Sequence, residues 1–278
     1  ISFSYGKGVH LYDENNKRYM DFYSGIGVNS LGHAHPQLVN TLRNQVEKLW
    51  HVSNTYNVSS AKDFAKKIVN NSFADTVFFA NSGSESVECG LKIARSYQNG
   101  IGNKNRHRIL TFHGAFHGRT FLTCAANDTK KYSELYNPRI DWCDNIAPNI
   151  ENVKKAISNN IGVILIEPIQ GQGGVKVMKK SFLEALRKIC NEHNILLFFD
   201  CVQCGAGRTG RLFAYEYTSI EPDICALAKG IGGGFPLGVC LATEKAAQYM
   251  KVGMHGSTFG GNPLACSVSI AAIDVIID

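Results

Sequence analysis

A lysine stands at the end of an apolar stretch and before a run of glycines, in Ala226-Leu227-Ala228-Lys229-Gly230-Ile231-Gly232-Gly233-Gly234. Kept from water there, its amine has a lowered pKa and becomes a nucleophile toward carbonyls. A surface lysine in a flexible glycine loop has the same spelling. Asp200 closes the apolar run 195–199, and an acid delivered by a buried strand must be paired or hydrogen-bonded. It either caps the loop that follows or holds a cationic nitrogen of a ligand. Asn81-Ser82-Gly83-Ser84-Glu85 leads from an apolar strand pattern into a helical one. Backbone N–H groups at such a helix start, aided by its dipole, suit a phosphate, while Ser82 with Glu85 also spells an ordinary capping box. In residues 112–120 (FHGAFHGRT), Phe116 offers a ring to stack on a flat ligand and Arg119 a guanidinium to clamp a carboxylate.

Other chemistries have less support. His113 and His117 lie four apart, but Gly114 and Gly118 disfavour the helix that would align them on a metal. Cys201 and Cys204 have CxxC spacing without a second pair, which makes a weak zinc or redox motif. Residues 167–175 (EPIQGQGGV) and 255–263 (HGSTFGGNP) read, taken singly, as turns. There is no G-x-x-x-x-G-K-[ST] loop, no G-x-S-x-G elbow, and no G-x-G-x-x-G after a first strand. One cofactor uses the remaining set. A Schiff-base lysine, an acid for a pyridinium nitrogen and a phosphate-binding helix start are the handles of pyridoxal 5′-phosphate (PLP).

The elements that must position these residues follow from hydrophobic periodicity. Residues 9–13 and 18–22 flank the turn Glu14-Asn15-Asn16 as a hairpin, and Pro36 opens a helix with Leu38, Val39, Leu42 and Val46 on one face. From about residue 60, helices over 61–69, 87–94 and 182–189 alternate with short apolar strands at 76–80, 109–112, 163–166 and 195–199. Strands apolar on both faces belong to a mainly parallel sheet covered by helices, so the expected class is α/β with the ligand site beyond the strand ends. The expected division is an N-terminal segment over 1–50 and a large cofactor-binding domain over 51–278.

Bulk properties agree with that reading. Of 278 residues 44% are hydrophobic and 19% charged, which excludes a disordered or collagen-like chain. No apolar run approaches the ~20 residues of a membrane span. The net charge of +6 is spread without a basic block, which suits a small anionic ligand better than nucleic acid. Nine scattered cysteines, mostly in apolar stretches, read as reduced thiols of a cytoplasmic protein. The chain opens at Ile1 and stops inside an apolar-periodic pattern at 271–278, so both termini read as cut.

The segments GIGVNSLGHAHP, NSGSESVECGLKIAR, FHGAFHGRT, EPIQGQGGV, FFDCVQCGAGRTGR, LAKGIGGGFPLG and HGSTFGGNPLA occur in the order and spacing of the class III, ω-amino-acid aminotransferases. From about Tyr12 to the end the sequence resembles that family, a branch of the fold type I PLP enzymes. The resemblance implies that Lys229 carries the cofactor and shuttles the proton, and that Asp200 keeps the pyridine nitrogen protonated. It implies further that Gln203 bonds the phenolic oxygen, Phe116 stacks on the ring, and Gly83 and Ser84 hold the phosphate. Thr258 would reach that phosphate from the neighbouring subunit of a homodimer, Arg119 would take the substrate α-carboxylate, and Ser257 would touch the substrate. The implied donor is N-acetylornithine, with ornithine, 4-aminobutyrate or succinyldiaminopimelate as alternatives, and the acceptor is 2-oxoglutarate, which becomes glutamate. The fold type also has a C-terminal small domain of about a hundred residues that would lie beyond Asp278, and without it the cofactor is expected to be held poorly. Three positions depart from the family: Gln172 stands where Glu is usual, Cys201 replaces the usual Glu, and Ile26 replaces the Tyr of ornithine-specific members. A catalytically silent PLP-binding protein and a zinc protein are the readings from other classes.

Overall fold

The computed structural model describes residues 1–128 and 140–278. Near the N-terminus β1 (Phe3–Lys7), β2 (His10–Asp13) and β3 (Arg18–Met20) form an antiparallel sheet in which His10 pairs with Met20 and Tyr12 with Arg18. The β2–β3 turn closes on Asp13, whose Oδ1 accepts from the amides of Asn15 and Lys17, both at 2.9 Å. The hairpin is the one expected from sequence, one residue shorter at its start and two at its end. β1, FSYGK, lay outside that expectation; it carries only two apolar side chains, Phe3 and Tyr5.

Seven strands make the central sheet: β4 (Thr76–Ala80), β5 (Arg108–Phe112), β6 (Cys143–Ile146), β7 (Ile161–Ile166), β10 (Leu196–Asp200), β11 (Ile224–Leu227) and β12 (Gly238–Ala242), ordered β4-β12-β11-β10-β7-β5-β6. The short β8 (Ile169–Gln170) and β9 (Lys176–Val177) pair as a separate ribbon. β10 lies parallel between β7 and β11, while β12 runs antiparallel to both β11 and β4. The sheet is therefore mainly parallel, with one reversed strand that periodicity did not single out.

Strict alternation divides the core between the two faces of the sheet. Leu110, Ile164, Ile166, Leu197, Phe199, Cys225 and Leu227 point to one face, where Leu183, Leu186 and Ile189 of the helix Lys180–His193 cover them. Ile109, Val163, Leu165, Leu196, Phe198, Ile224 and Ala226 point to the other, under Val87, Leu91 and Ala94 of the helix Gly83–Gly100. Both faces are thus apolar, which is why these strands read as continuous runs. Gly90 permits the close approach of that second helix, since a Cβ there would lie 2.3 Å from Phe198 Cζ. The helix Pro263–Ile277, capped by Asn262 Oδ1 accepting from the Ala265 amide at 2.9 Å, packs on the helices Pro36–Val46 and Ser59–Asn70. No helix among the described residues is long and apolar enough to cross a membrane.

Candidate active site

The carboxyl ends of β4, β5, β7, β10 and β11 open on one cavity of about 870 Å³. Beyond or at these ends residues 82–84 and 116–119, with Glu167, Asp200 and Lys229, reach its lining, as expected for a parallel sheet. Gly83, Ser84, Phe116, Arg119, Asp200, Gln203 and Lys229 all line it, together with Ile26 and Gln172. Ser257 and Thr258 do not: they line a separate depression of about 360 Å³ beside Asn81, Glu85 and His255.

Asp200 forms the floor. It is 3% exposed, accepts from the Val202 amide at 3.0 Å, and lies 2.8 Å through Oδ2 from His117 Nδ1. A carboxylate can only accept, so His117 carries its proton on Nδ1. Its Nε2 is buried with no partner among the described residues. The backbone of this loop is clamped by Asn127, whose Oδ1 accepts from the His117 amide at 2.6 Å and whose Nδ2 donates to Gly118 O at 2.9 Å.

Lys229 opens a short turn directly beyond β11 and Ala228. Its φ is +52°, in the left-handed region that β-carbons disfavour. Ile26 at +64° and Ala206 at +53° share that conformation near the cavity. Strain of this kind, of order 1–3 kcal/mol per residue, persists only where surrounding structure imposes it. The Lys229 amine donates to Gln203 Oε1. Burial lowers its pKa and the Arg208 guanidinium adds to this, while Asp200 and Glu167 pull the other way. Arg208 itself is tied by Nη2 to Gly27 O and Ser30 Oγ, both at 2.9 Å, and so fastens the N-terminal segment to the rim.

At the wall made by the helix start, Ser82 Oγ accepts from the Glu85 amide at 3.3 Å, and Glu85 Oε2 accepts from the Asn81 amide at 2.7 Å. The capping reading and the anion-site reading are therefore compatible, because the cap occupies Ser82 and Glu85 and leaves Gly83 and Ser84 facing the cavity. Gly118, at φ +134°, lets the loop after β5 touch this helix, where a Cβ would sit 2.3 Å from Ser84 Oγ. The Arg119 amide donates to that hydroxyl at 3.2 Å, and its guanidinium lies 5.9 Å from the Phe116 ring centroid.

The set fits the handles of PLP on its own geometry. A buried carboxylate, an amine of lowered pKa, an aromatic wall and a glycine-bearing helix N-terminus share one cavity. The sequence reading missed His117 as a partner of Asp200, because two glycines drew attention only to its spacing from His113, which is exposed. It also missed Glu167, Asn127 and Arg208. Of these only Glu167 had a signal, as a charge one residue beyond a wholly apolar strand. Cys201, Cys204 and Cys225 lie buried together behind Asp200, and all three thiols are pushed up, with burial raising each. Among the described residues no three His, Cys, Asp or Glu side chains are placed to hold a metal ion.

The family profile of aminotransferase class-III matches residues 1–278. An acetylornithine aminotransferase of Agrobacterium fabrum is 51% identical over 278 residues, which is all of this chain and 70% of that protein. The N-acetylornithine aminotransferase structure from Stenotrophomonas maltophilia superposes with a TM-score of 0.85 at 34% identity, covering 100% of this chain and 69% of that one. The ornithine aminotransferase of Toxoplasma gondii, in a structure with partial occupancy of PLP at its active site, gives a TM-score of 0.96 at 31% identity over 100% and 67% of the two chains.

Proposed function

Because this chain belongs to the class III aminotransferases, we propose that it moves the terminal amino group of N-acetylornithine to 2-oxoglutarate with PLP, yielding N-acetylglutamate semialdehyde and glutamate. The observation that carries this reading is the convergence of Lys229, Asp200 and the Gly83–Ser84 helix start on one cavity.

PLP, when bound, supplies an electron sink for a carbanion. The chain supplies the rest. Asp200, fixed by His117 and the Val202 amide, would hold a protonated pyridine nitrogen. Lys229, its pKa lowered by burial, gives up its proton more readily than an exposed lysine, and the freed amine can bond a carbonyl carbon and afterwards carry a proton. Gln203, now accepting from that amine, would turn to the phenolic oxygen, and Phe116 would cover the ring. Amides at Gly83 and Ser84 would bind the phosphate, and Arg119 at the mouth a substrate carboxylate.

Ile26 bears on the donor. Its apolar side chain lines the cavity and offers a free α-ammonium no hydrogen-bond acceptor. An acylated amine, being uncharged, has less need of one. The position of Thr258 bears on assembly. Its loop carries the exposed apolar side chains Val252, Met254 and Phe259, a surface suited to burial against a second copy. In such a homodimer Thr258 and Ser257 would complete the partner's cavity rather than their own.

Glutamate formation from 2-oxoglutarate should be measured side by side with N-acetylornithine, ornithine, 4-aminobutyrate and succinyldiaminopimelate. N-acetylornithine is expected to be the best donor. No glutamate from it, with turnover of another donor, would overturn the substrate and leave the family membership intact.

A further inference from the structure

Glu167 has no part in the chemistry above, yet it is the most deeply set acid of the cavity after Asp200, at 4% exposure. It follows directly on β7, and its carboxylate is shared between two backbone amides: Phe116 N donates to Oε1 at 2.9 Å and Gly171 N to Oε2 at 3.2 Å. One amide belongs to the loop beyond β5, the other to the turn beyond β8. Both residues line the cavity, Phe116 on one wall and Gly171, next to Gln172, on another.

This arrangement is costly. Burial, and then the neighbouring Asp200, push the Glu167 carboxyl up to about 7, against the pull of His117 and the two amides. Lys229 also faces it across the cavity. Joining two loops for stability alone is achieved more cheaply by a neutral side chain, since removing a buried charge is often neutral or stabilising. What only a carboxylate of this length does is accept from both amides at once.

We propose that Glu167 is a positioning residue of the PLP site, whose two oxygens fix the aromatic wall at Phe116 relative to the Gly171–Gln172 wall. The inference rests on the PLP reading of the same cavity. It acts through Phe116, so its effect must depend on that ring.

The test is a double-mutant cycle read by PLP affinity of the apo protein and by visible circular dichroism of bound PLP, which reports how the ring is held. Glu167→Gln leaves one amide facing an NH₂ group, and it should weaken PLP binding about tenfold in the native background but less than about threefold beside Phe116→Leu. The dichroism should fall with the first substitution. Equal losses in both backgrounds, or an unchanged spectrum, would overturn the proposal. Should Glu167→Gln fail to fold, Glu167→Asp keeps the charge but is too short to reach both amides, and should reproduce the loss; native affinity in that variant would contradict the bridge. Failure of the underlying reading is a separate outcome, in which the unsubstituted protein binds no PLP.

Discussion

The floor of the cavity and the 255–262 loop are built to opposite rules. The floor is complete within one chain: Asp200 is held by His117 and an amide, Lys229 by Gln203, and the neighbouring loop by Asn127. The loop also has its internal bonds, with Asn81 Nδ2 donating to Ser257 Oγ at 3.1 Å and Asn54 Nδ2 to Ser257 O at 2.6 Å. Its hydroxyls nevertheless line a different depression, on the far flank of the Asn81–Glu85 turn, and Thr258 is exposed. The difference teaches where precision is needed. On the proposed reading, groups that would tune the reacting nitrogen and amine sit on strand ends fixed by the sheet, whereas a group that would only add a hydrogen bond to an anion could come from a surface loop of a second copy.

The largest effect expected from breaking the floor is that of Lys229→Ala, which should lower transamination at least ~10³-fold with little change in melting temperature, because one half-buried amine is lost. A rate near the native one would remove Lys229 from the chemistry. Asp200→Asn should keep part of the PLP affinity and lose about 10²-fold in turnover, since an amide cannot hold a pyridinium proton. Thr258→Ala should cost only about tenfold in PLP affinity.

Mixing Lys229→Ala with Thr258→Ala protein then sharpens the contrast. If sites are shared in a homodimer, hybrids contain one intact site, and at limiting PLP an equal mixture should show about a quarter of native activity plus about a quarter of the Thr258→Ala activity. Recovery of no more than half the Thr258→Ala rate would place the loop outside the site.

The smallest effect concerns pH. Glu167 titrates near 7 in the fold instead of near 4.5, so between those values the folded state binds a proton that the unfolded chain releases. Its contribution to stability therefore falls as pH rises through that window, and the cost is full above about 7. Relative to the native protein, Glu167→Gln should gain a few degrees, about 2–4 °C, in apo melting temperature between acidic and mildly alkaline buffer. A constant difference across that range would show that Glu167 ionises normally.

How far the sequence anticipates this structure depends on which physical signal each residue carries. Strands β5, β7 and β10 announce themselves because both faces are buried, β4 by its apolar run 77–80 although only Ala80 is buried, and Lys229 and Asp200 stand out because a charge at the end of a buried strand is costly. β11 and β12 are harder to read: Ile224–Leu227 is short and merges with Ala228, and Gly238–Ala242 follows a glycine-rich turn without polar punctuation. The reversal of β12 is a tertiary fact with no local pattern. Within the site, residues acting through their own chemistry were visible, whereas His117, Asn127 and Arg208 act through contacts 83, 10 and 181 residues away in sequence. Such partners appear only when the loops have been folded together.

The most direct test of the central claim is chemical. Protein loaded with PLP should be yellow, lose that absorbance on reduction with borohydride, and yield on proteolysis one pyridoxyl-labelled peptide, with the label on Lys229. A label on another lysine, or none, would contradict the assignment of Lys229 and the cavity around it.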